Sequence, residues 1–349
     1  MTIHLEDLAE FGWNNFFSAQ LEAEDLDASV AVRVMAVHRN SLDVAGPGIA
    51  QSIPPYFQDE NGEPDNATVG DWLLLAPETL RAFRRLARKS LFQRRAAGIR
   101  NTVQRIAANI DSLFIVTSCN QDFNIARLER YLVLAREADV TPVIIITKAD
   151  LVDNAQEYAR QAAALEPGLL VELINARDAQ SAACLAPWCA PGQTIALIGS
   201  SGVGKSTLVN TLSGTQNIST QGIREDDAKG RHTTSGRTLH RLPNGGWIMD
   251  TPGMRELQLT DVKAGIETVF ADILELQGKC KFNDCQHESE PGCAVLAALK
   301  NGTLEEDRYK RWKKLAAEEA FNSSTLIDRR NRDRAFGKTI KTAIKNKRR

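Results

Sequence analysis

One segment limits the possible folds of this chain more than any other. Residues 199–206 read G-S-S-G-V-G-K-S, a match to G-x-x-x-x-G-K-[ST], between a strand-like run at 194–198 and a helix-forming run from residue 207. In that setting, glycines allow backbone N–H groups to surround phosphates at a helix N-terminus. The segment therefore predicts a nucleoside triphosphate site, with Lys205 reaching the β- and γ-phosphates and Ser206 offering a hydroxyl to Mg²⁺. The predicted phosphate-binding residues are Gly199, Ser200, Ser201, Gly202, Val203, Gly204, Lys205, Ser206 and Thr207.

A second motif indicates which base is bound. Residues 147–150 read T-K-A-D, follow the apolar run Val143–Ile146 and have the form [NT]-K-x-D. The Asp150 carboxylate can accept hydrogen bonds from guanine N1–H and the exocyclic amine, whereas adenine offers no such pair of donors. The aliphatic stem of Lys148 would lie along the plane of the base. The predicted guanine site consists of Thr147, Lys148, Ala149 and Asp150.

A third element, residues 250–253, reads D-T-P-G and follows the strand-like run Gly246–Met249. In isolation these four residues would favour an ordinary surface turn. Next to a phosphate loop they match the D-x-x-G pattern of GTPases. Asp250 is then expected to hold Mg²⁺ through water, and the backbone N–H of Gly253 to sense the γ-phosphate.

The segment Gly230–Ser235 lies between these two elements and offers hydroxyl groups to Mg²⁺. We prefer Thr234 over Thr233 as that ligand. Met254 stands where many GTPases place a glutamine that positions water, so slow intrinsic hydrolysis is expected. His232 is the candidate to help order the water, and a solvated histidine is the alternative.

The order of the motifs along the chain is unusual. The base motif at 147–150 precedes the phosphate loop at 199–206, whereas ordinary GTPases have the phosphate loop first. A circular permutation gives this order and keeps the loops together, because they follow neighbouring strands of one sheet. It also places residues 250–253 directly before the C-terminal region. We expect loss of the γ-phosphate to reposition that region on its partner.

The C-terminal region contains a cluster of metal-ligand residues within 14 positions. The spacing is C-x4-C-x-H-x5-C, formed by Cys280, Cys285, His287 and Cys293. Three thiols and one imidazole suit tetrahedral Zn²⁺, and four protein ligands leave no open position, so the predicted site is structural. The other three cysteines, Cys119, Cys184 and Cys189, are expected to fill the core.

Charge is strongly segregated, although the net charge is only −1. Residues 81–105 contain nine basic side chains and no acidic one, and residues 329–349 contain ten basic and one acidic. Residues 1–80 contain two basic and fourteen acidic side chains. The two basic segments favour contact with RNA phosphates, through 81–105 and a few loops of the preceding domain and through a C-terminal arm.

Several classes of protein are excluded or disfavoured. Hydrophobic residues make up 43% of the chain, which excludes a disordered or collagen-like protein. The longest apolar runs, Leu113–Val116 and Val143–Ile146, are far shorter than the roughly 20 residues of a membrane span. No secretory signal pattern opens the sequence, and the cysteines are too few for a disulfide scaffold. We expect a cytoplasmic protein.

The pattern along the chain predicts five regions. A partly helical arm (1–29) is followed by short strands and turns typical of an OB-like, RNA-binding β-barrel (30–98), whose first strand is predicted by the alternating run Val30–Val37. Alternating buried strands and amphipathic helices predict an α/β domain with a mainly parallel sheet, the circularly permuted P-loop GTPase domain (99–258). One of these helices has Ile125, Leu128, Leu132 and Ala135 on one face. An α-helical zinc-binding domain (259–328) and a basic tail (329–349) complete the chain.

Taken together, these motifs resemble the small ribosomal subunit biogenesis GTPase RsgA family. The resemblance covers roughly residues 30–349. It implies a GTPase acting late in maturation of the small ribosomal subunit, stimulated by that subunit and binding its rRNA. Asn175 and Ala176 stand where the family usually has Ser-Ala for base contact, and Thr147 replaces the commoner asparagine. The acidic segment before residue 30 is longer than the family pattern and would fit a divergent paralogue.

Two other functions stay open at this point. The chain could be an ATP-dependent P-loop protein or kinase, which a preference for ATP or insensitivity to Asp150→Asn would favour. It could also be an RNA-binding scaffold that uses GTP as a structural ligand, in which case small subunits would not raise hydrolysis. In the main prediction, the nucleotide state of a monomer times its release from the subunit.

Overall fold

The computed structural model describes residues 5–58, 64–95, 103–214, 237–250 and 262–323. The chain divides into two compact units, Met1–Leu257 and Gln258–Arg349. A search of the described residues finds no helix long and apolar enough to cross a membrane.

The first part of unit 1 is a set of short antiparallel strands. They are β1 (Val30–Val37), β2 (Leu42–Gly46), β3 (Ile49–Ile53), β4 (Tyr56–Gln58), β5 (Pro64–Asn66), β6 (Trp72–Leu75) and β7 (Ala82–Arg85). β1 pairs with β2 and β6, β2 pairs with β3, β6 pairs with β7, and β4 pairs with β5. The alternating residues of β1 bury Val30, Val32 and Val34 against Leu42 and Leu73. The predicted OB-like barrel therefore has its core on the face that the alternation indicates.

The acidic N-terminal arm forms three short helices, α1 (Leu5–Ala9), α2 (Asn15–Ser18) and α3 (Ala23–Ala28). Its apolar residues Leu8, Trp13 and Phe17 are buried in one cluster with Trp72 and Leu86 of the barrel region. Trp13 meets Trp72 edge to face, with ring centroids 4.8 Å apart. The arm is thus part of the core of unit 1.

The second part of unit 1 is an α/β domain. Its strands are β8 (Leu91–Arg95), β9 (Val103–Ala108), β10 (Ser112–Ser118), β11 (Thr141–Thr147), β12 (Leu170–Leu173), β13 (Thr194–Gly199), β14 (Arg237–Arg241) and β15 (Trp247–Asp250). Its helices are α4 (Ile125–Glu137), α5 (Ala155–Ala163), α6 (Ala179–Ala182) and α7 (Lys205–Ser213), with 3₁₀ turns at Ala149–Leu151 and Ala183–Cys189. α4 buries Leu128, Leu132 and Ala135, as the predicted helix face requires.

The strand order in this domain is β12-β11-β10-β13-β15-β14. The first five strands are parallel, and β14 is antiparallel to β15. β13, which leads into the phosphate loop, lies in the middle of the sheet between β10 and β15. The mainly parallel sheet predicted from the buried apolar runs is present, and it brings the carboxyl ends of β10, β11 and β13 to one edge.

The barrel and the α/β domain share this sheet. β1 pairs antiparallel with β14, and the register places Ala36 opposite Thr238 and Val37 opposite Arg237. The hairpin formed by β8 and β9 crosses from the predicted barrel region into the predicted GTPase region. The backbone hydrogen bonds of the two regions therefore form one continuous network.

The buried Arg33 of β1 provides a second link within unit 1. Its side chain is 1% exposed. Its guanidinium donates to the carbonyl of Phe11 in the arm (2.6 Å), the carbonyl of Asn109 after β9 (3.1 Å) and the hydroxyl of Thr194 at the start of β13 (2.9 Å). One side chain thus joins the arm, the barrel and the strand that leads to the phosphate loop.

Unit 2 is helical over its described residues. Its helices are α8 (Lys263–Val269), α9 (Ala271–Gln277), α10 (Ala294–Asn301) and α11 (Glu306–Ser323). The buried apolar residues include Ile266, Phe270 and Val295. Arg308 of α11 donates two hydrogen bonds to Asp272 of α9, both at 2.8 Å, and its guanidinium lies 4.9 Å from the ring centroid of Phe270. These contacts fasten the long last helix to the shorter ones.

Candidate functional site

The phosphate loop has the conformation that the glycine pattern predicts. Gly202 and Gly204 have φ values of +75° and +95°, which glycine adopts without strain. A Cβ atom at Gly199 would lie 2.2 Å from the carbonyl oxygen of Val116 on β10, so only glycine fits there. Lys205 begins α7, is 7% exposed, and donates to the carbonyl oxygens of Gly199 (2.8 Å) and Ser200. Its ammonium group is therefore held inside the loop.

Thr147 connects the base motif directly to the phosphate loop. The side chain is completely buried at the end of β11. Its hydroxyl donates to the carbonyl oxygen of Val203 at 2.6 Å and also lies 3.1 Å from the carbonyl oxygen of Thr117. Two segments more than 50 positions apart in sequence thus meet as the circular permutation predicts.

The remaining residues of the base motif, Lys148–Asp150, follow Thr147 in a partly exposed turn. Lys148 adopts a left-handed conformation with φ +59°, which is uncommon for a residue with a Cβ and is found more often at functional sites. A 3₁₀ turn at Ala149–Leu151 follows. Asp150 lies in this turn and is exposed, which leaves its carboxylate accessible to a base.

Asn175 and Ala176 follow β12 and are fixed by neighbouring side chains. The backbone N–H of Asn175 donates to the Ser181 hydroxyl at 2.9 Å, and the Asn175 side chain accepts from the N–H of Arg177 at 3.0 Å. The carbonyl oxygen of Ala176 accepts a hydrogen bond from Thr211 of α7 at 2.7 Å. The loop after β12 is therefore tied to the helix of the phosphate loop, at the same sheet edge as Asp150.

The predicted magnesium and switch residues are only partly described. Ser206 lies in the first turn of α7 and is half-buried. Asp250 ends β15, where its backbone pairs with Thr238. The side chain of Asp250 lies outside the described part of the chain, as do His232, Thr234 and Gly253 in full.

One side chain that contacts the phosphate loop belongs to none of the sequence motifs. Arg127, in the first turn of α4, donates a hydrogen bond to the hydroxyl of Ser200 in the phosphate loop. Arg127 itself is exposed. A basic residue shortly after β10 could have been noticed, because β10 is the parallel neighbour of β13.

The predicted metal ligands come together in unit 2. The ligand atoms of Cys280, Cys285, His287 and Cys293 all lie within 4.8 Å of one another. The distance from His287 Nδ1 to Cys293 Sγ is 3.4 Å, from Cys280 Sγ to His287 Nδ1 3.7 Å, and from Cys280 Sγ to Cys293 Sγ 3.9 Å. Around a tetrahedral Zn²⁺, N–S and S–S separations are about 3.5 and 3.8 Å. The donor set and its spacing therefore fit zinc.

Neighbouring groups hold the ligand loop in shape. Burial lowers the pKa of His287, which favours the neutral imidazole that binds metals. The other ring nitrogen of His287 lies 3.0 Å from the side-chain amide of Gln277. The Glu290 carboxylate accepts hydrogen bonds from the backbone N–H groups of Gln286 (2.8 Å), Glu288 (2.9 Å) and Ser289 (3.0 Å). These bonds lower the pKa of Glu290 to about 2.

The three remaining cysteines do not share one environment. Cys119 and Cys189 are buried, as expected of core residues, whereas Cys184 is exposed. The core prediction was wrong for Cys184. It lies in the 3₁₀ turn Ala183–Cys189, where Leu185 and Cys189 face the core and Cys184 faces solvent.

The basic segment 81–105 is partly used inside unit 1. Arg84 forms an ion pair with Asp25 of the arm at 2.9 Å. Arg88 donates to both oxygens of the completely buried Asp71, at 2.7 and 2.8 Å. Arg81, the residue directly before β7, is exposed. The positive charges of this segment therefore divide into internal ones and exposed ones.

Comparison with known proteins identifies the family. The sequence profile of the RsgA GTPase family matches residues 85–260. The chain is 49% identical to the small ribosomal subunit biogenesis GTPase RsgA 2 of Vibrio parahaemolyticus, over 98% of this chain and 94% of that protein. The chain belongs to the RsgA GTPase family. It is also 52% identical to the small ribosomal subunit biogenesis GTPase RsgA of Mesorhizobium japonicum, over 93% of each chain.

Solved structures of similar proteins support the fold class. The crystal structure of YjeQ from Thermotoga maritima has a TM-score of 0.58 and 25% identity, covering 82% of this chain and 97% of that one. YloQ, described as a circularly permuted GTPase, has a TM-score of 0.58 and 24% identity, with 85% and 97% covered. The predicted fold class, a permuted P-loop GTPase domain with an OB-like barrel and a helical Cys/His domain, is confirmed.

Proposed function

We propose that the chain is a GTP-hydrolysing assembly factor of the small ribosomal subunit. The names of its RsgA relatives support this function. The observation that carries it is the hydrogen bond from Thr147 to Val203, which joins a guanine-type motif to a phosphate loop. An ATP-dependent protein would have no use for the accessible Asp150 carboxylate beside that loop.

The residues of the loops divide the work of binding GTP. Asp150 accepts the hydrogen bonds of the guanine edge, and Asn175 with Ala176 lines the neighbouring side of the base. The N–H groups of Gly202–Lys205 and the Lys205 ammonium hold the β- and γ-phosphates. Bound Mg²⁺ would neutralise phosphate charge and be held by Ser206, Asp250 and Thr234. His232 would order the attacking water, and Gly253 would sense the γ-phosphate.

The cysteine and histidine cluster is proposed to hold one structural Zn²⁺. Four protein ligands leave no position for a substrate. Zinc would stabilise unit 2 as a module for holding the subunit, and the nucleotide state sensed at Gly253 would reposition it.

We place rRNA contacts on the exposed part of the segment 81–105 and on the tail 329–349. Arg81 and Phe83 are both exposed at the start of β7, where the register of the pairing with β6 shifts. Phe83 is 42% exposed. An exposed aromatic ring next to arginines suits stacking on a base together with phosphate contacts. The protein would act as a monomer in the cytoplasm, where ribosomes are assembled.

The decisive experiment is nucleotide turnover with and without purified small subunits. GTP hydrolysis should rise when subunits are added, ATP should not compete, and Lys205→Ala should abolish turnover. Asp150→Asn should weaken GTP binding, because an amide cannot accept both guanine hydrogen bonds. Preference for ATP, or no stimulation by subunits, would contradict the proposal. Equal affinity for subunits with a GTP analogue and with GDP would contradict timing by the nucleotide.

A second experiment tests the RNA contacts. Arg81→Glu with Phe83→Ala should weaken subunit binding and reduce its dependence on salt. Removing the residues after Asp328 should do the same. Arg160→Glu is the matched control, because Arg160 is exposed on α5 and its ion pair with Glu157 lies at the surface, unlike the more buried pairs of Arg84 and Arg88. Unchanged binding in the β7 variant would refute this placement. Arg84 and Arg88 are unsuitable targets, because their replacement also breaks ion pairs within unit 1.

A further inference from the structure

Arg127 is placed against the phosphate loop by the sheet. It lies in the first turn of α4, which follows β10, and β10 pairs in parallel with β13. The side chain of Asn124 accepts a hydrogen bond from the backbone N–H of Arg127 at 3.0 Å and so fixes this turn. From there the guanidinium donates to the hydroxyl of Ser200. The arginine therefore reaches the loop from a capped first turn of α4.

Two cationic side chains meet at Ser200. Lys205 donates to its carbonyl oxygen, and Arg127 donates to its hydroxyl. Within the described part of the chain, the recorded polar contact of the Arg127 side chain is this neutral hydroxyl rather than a carboxylate. Two positive charges that meet at one residue repel each other and favour an anion beside them. The anion that this loop is built to hold is the phosphate group of a nucleotide.

The sequence after the D-T-P-G motif suggests a role for the positive charge of Arg127. Met254 follows Gly253, so the position of the usual water-positioning side chain is occupied by an apolar residue. GTPases of this type depend on positive groups that stabilise the charge on the transferring phosphate. Arg127 is a positive group of this kind, and its side chain contacts the phosphate loop at Ser200.

We propose that Arg127 is a phosphate-contacting residue that moves from Ser200 to the triphosphate when GTP binds and so favours GTP over GDP. The proposal rests on the proposed function, since it takes GTP as the ligand of the loop. Lys205 serves the β- and γ-phosphates, and because Arg127 meets it at Ser200, the contact is assigned to the same end of the nucleotide. The guanidinium then donates to a charged phosphate oxygen instead of the neutral Ser200 hydroxyl, and a hydrogen bond to a charged acceptor is stronger.

The test compares nucleotide affinities of the full-length parent protein and its variants. Arg127→Gln should weaken binding of a fluorescent non-hydrolysable GTP analogue about tenfold, the loss expected for one charge-assisted hydrogen bond. Binding of the matching GDP probe should change far less. Basal kcat should fall as well, and Arg127→Lys should restore part of both effects because it keeps the charge. Arg160→Gln, on the exposed face of α5, is the control and should match the parent.

The outcomes separate this inference from the function on which it rests. If the parent failed to bind the GTP analogue, the proposed function would fall, and the role of Arg127 with it. If the parent bound the analogue and Arg127→Gln bound it equally well, the assignment of Arg127 alone would be wrong. Equal weakening of the GTP and GDP probes would also overturn it. So would unchanged nucleotide binding with weaker binding to small subunits, since Arg127 would then contact RNA.

Discussion

Replacing Arg33 with methionine tests whether one buried side chain holds unit 1 together. Methionine is of similar length and apolar, so the change removes the charge and the hydrogen bonds while filling much of the space. The carbonyl oxygens of Phe11 and Asn109 and the hydroxyl of Thr194 would lose their donor. The Asn109 carbonyl and the Thr194 hydroxyl would stay buried and the Phe11 carbonyl half-buried, and buried unpaired acceptors are costly.

The size of the effect follows from two opposing contributions. Hydrogen bonds from a charged donor contribute about 1.5–3 kcal/mol each, hence roughly 4.5–9 kcal/mol for the three bonds of Arg33. Burial opposes this, because it lowers the pKa of Arg33 from 12.5 to about 10. At about 1.36 kcal/mol per pKa unit, burying the charge costs about 3 kcal/mol. We therefore expect Arg33→Met to lower the free energy of unfolding by about 1.5–6 kcal/mol.

Urea unfolding followed by tryptophan fluorescence measures this difference, since most of the tryptophans lie in residues 1–257. Arg39→Met, at an exposed position of the turn between β1 and β2, is the control for loss of a positive charge. It should change the free energy of unfolding by less than about 0.5 kcal/mol. The reasoning would be refuted if Arg33→Met were as stable as the control. GTP affinity should also fall in Arg33→Met, because Thr194 begins the strand that carries the phosphate loop.

Three further changes have defined outcomes. Thr147→Val removes the hydrogen bond to the phosphate loop and should weaken GTP binding about five- to tenfold by titration, whereas Thr147→Ser should not; equal affinities would argue against the contact. Hydrogen bonds from Ser52 and His38 lower the pKa of Asp43 below 3.8, so the stability contributed by its charge is fully present above pH 3.8 and is lost as pH falls through the lowered pKa. Thermal melts of Asp43→Asn should therefore differ slightly from the parent at pH 6, and the difference should shrink as pH falls below 3.8; a constant gap would contradict this. Gln277→Leu removes the group that orients His287 and should speed zinc release to a chelator, while Gln277→Glu should not; identical release rates would exclude that role.

Much of the fold could be predicted because the informative signals are local. The alternation of Val30–Val37 gave β1 with its observed ends, and the helix face of Leu128 and Leu132 gave α4. The phosphate-loop motif and the cluster of three cysteines and a histidine could be recognised because such chemistry requires fixed residue types at short spacing. Such local patterns can be recognised without knowing which distant segments of the chain meet.

Other features could not be read from the sequence because they depend on distant segments meeting. The partners of Arg33 lie 22, 76 and 161 positions away. The acidic arm gave no sign that Leu8 and Phe17 would enter a core with Trp72. Arg127 carried no motif of its own, and charge counting could not separate the paired Arg88 from the exposed Arg81.

The pairing of β1 with β14 has a practical consequence for anyone who wishes to cut this protein into pieces. Residue 98 looks like a natural place to divide the barrel from the GTPase domain, yet a fragment that begins there would leave β14 without β1. The isolated barrel would likewise expose the edge of β1 that Ala36 and Val37 now offer to β14. Unpaired strand edges invite association with other chains. A fragment of residues 1–257 preserves the ladder, so a nucleotide-binding piece should include the barrel and its arm.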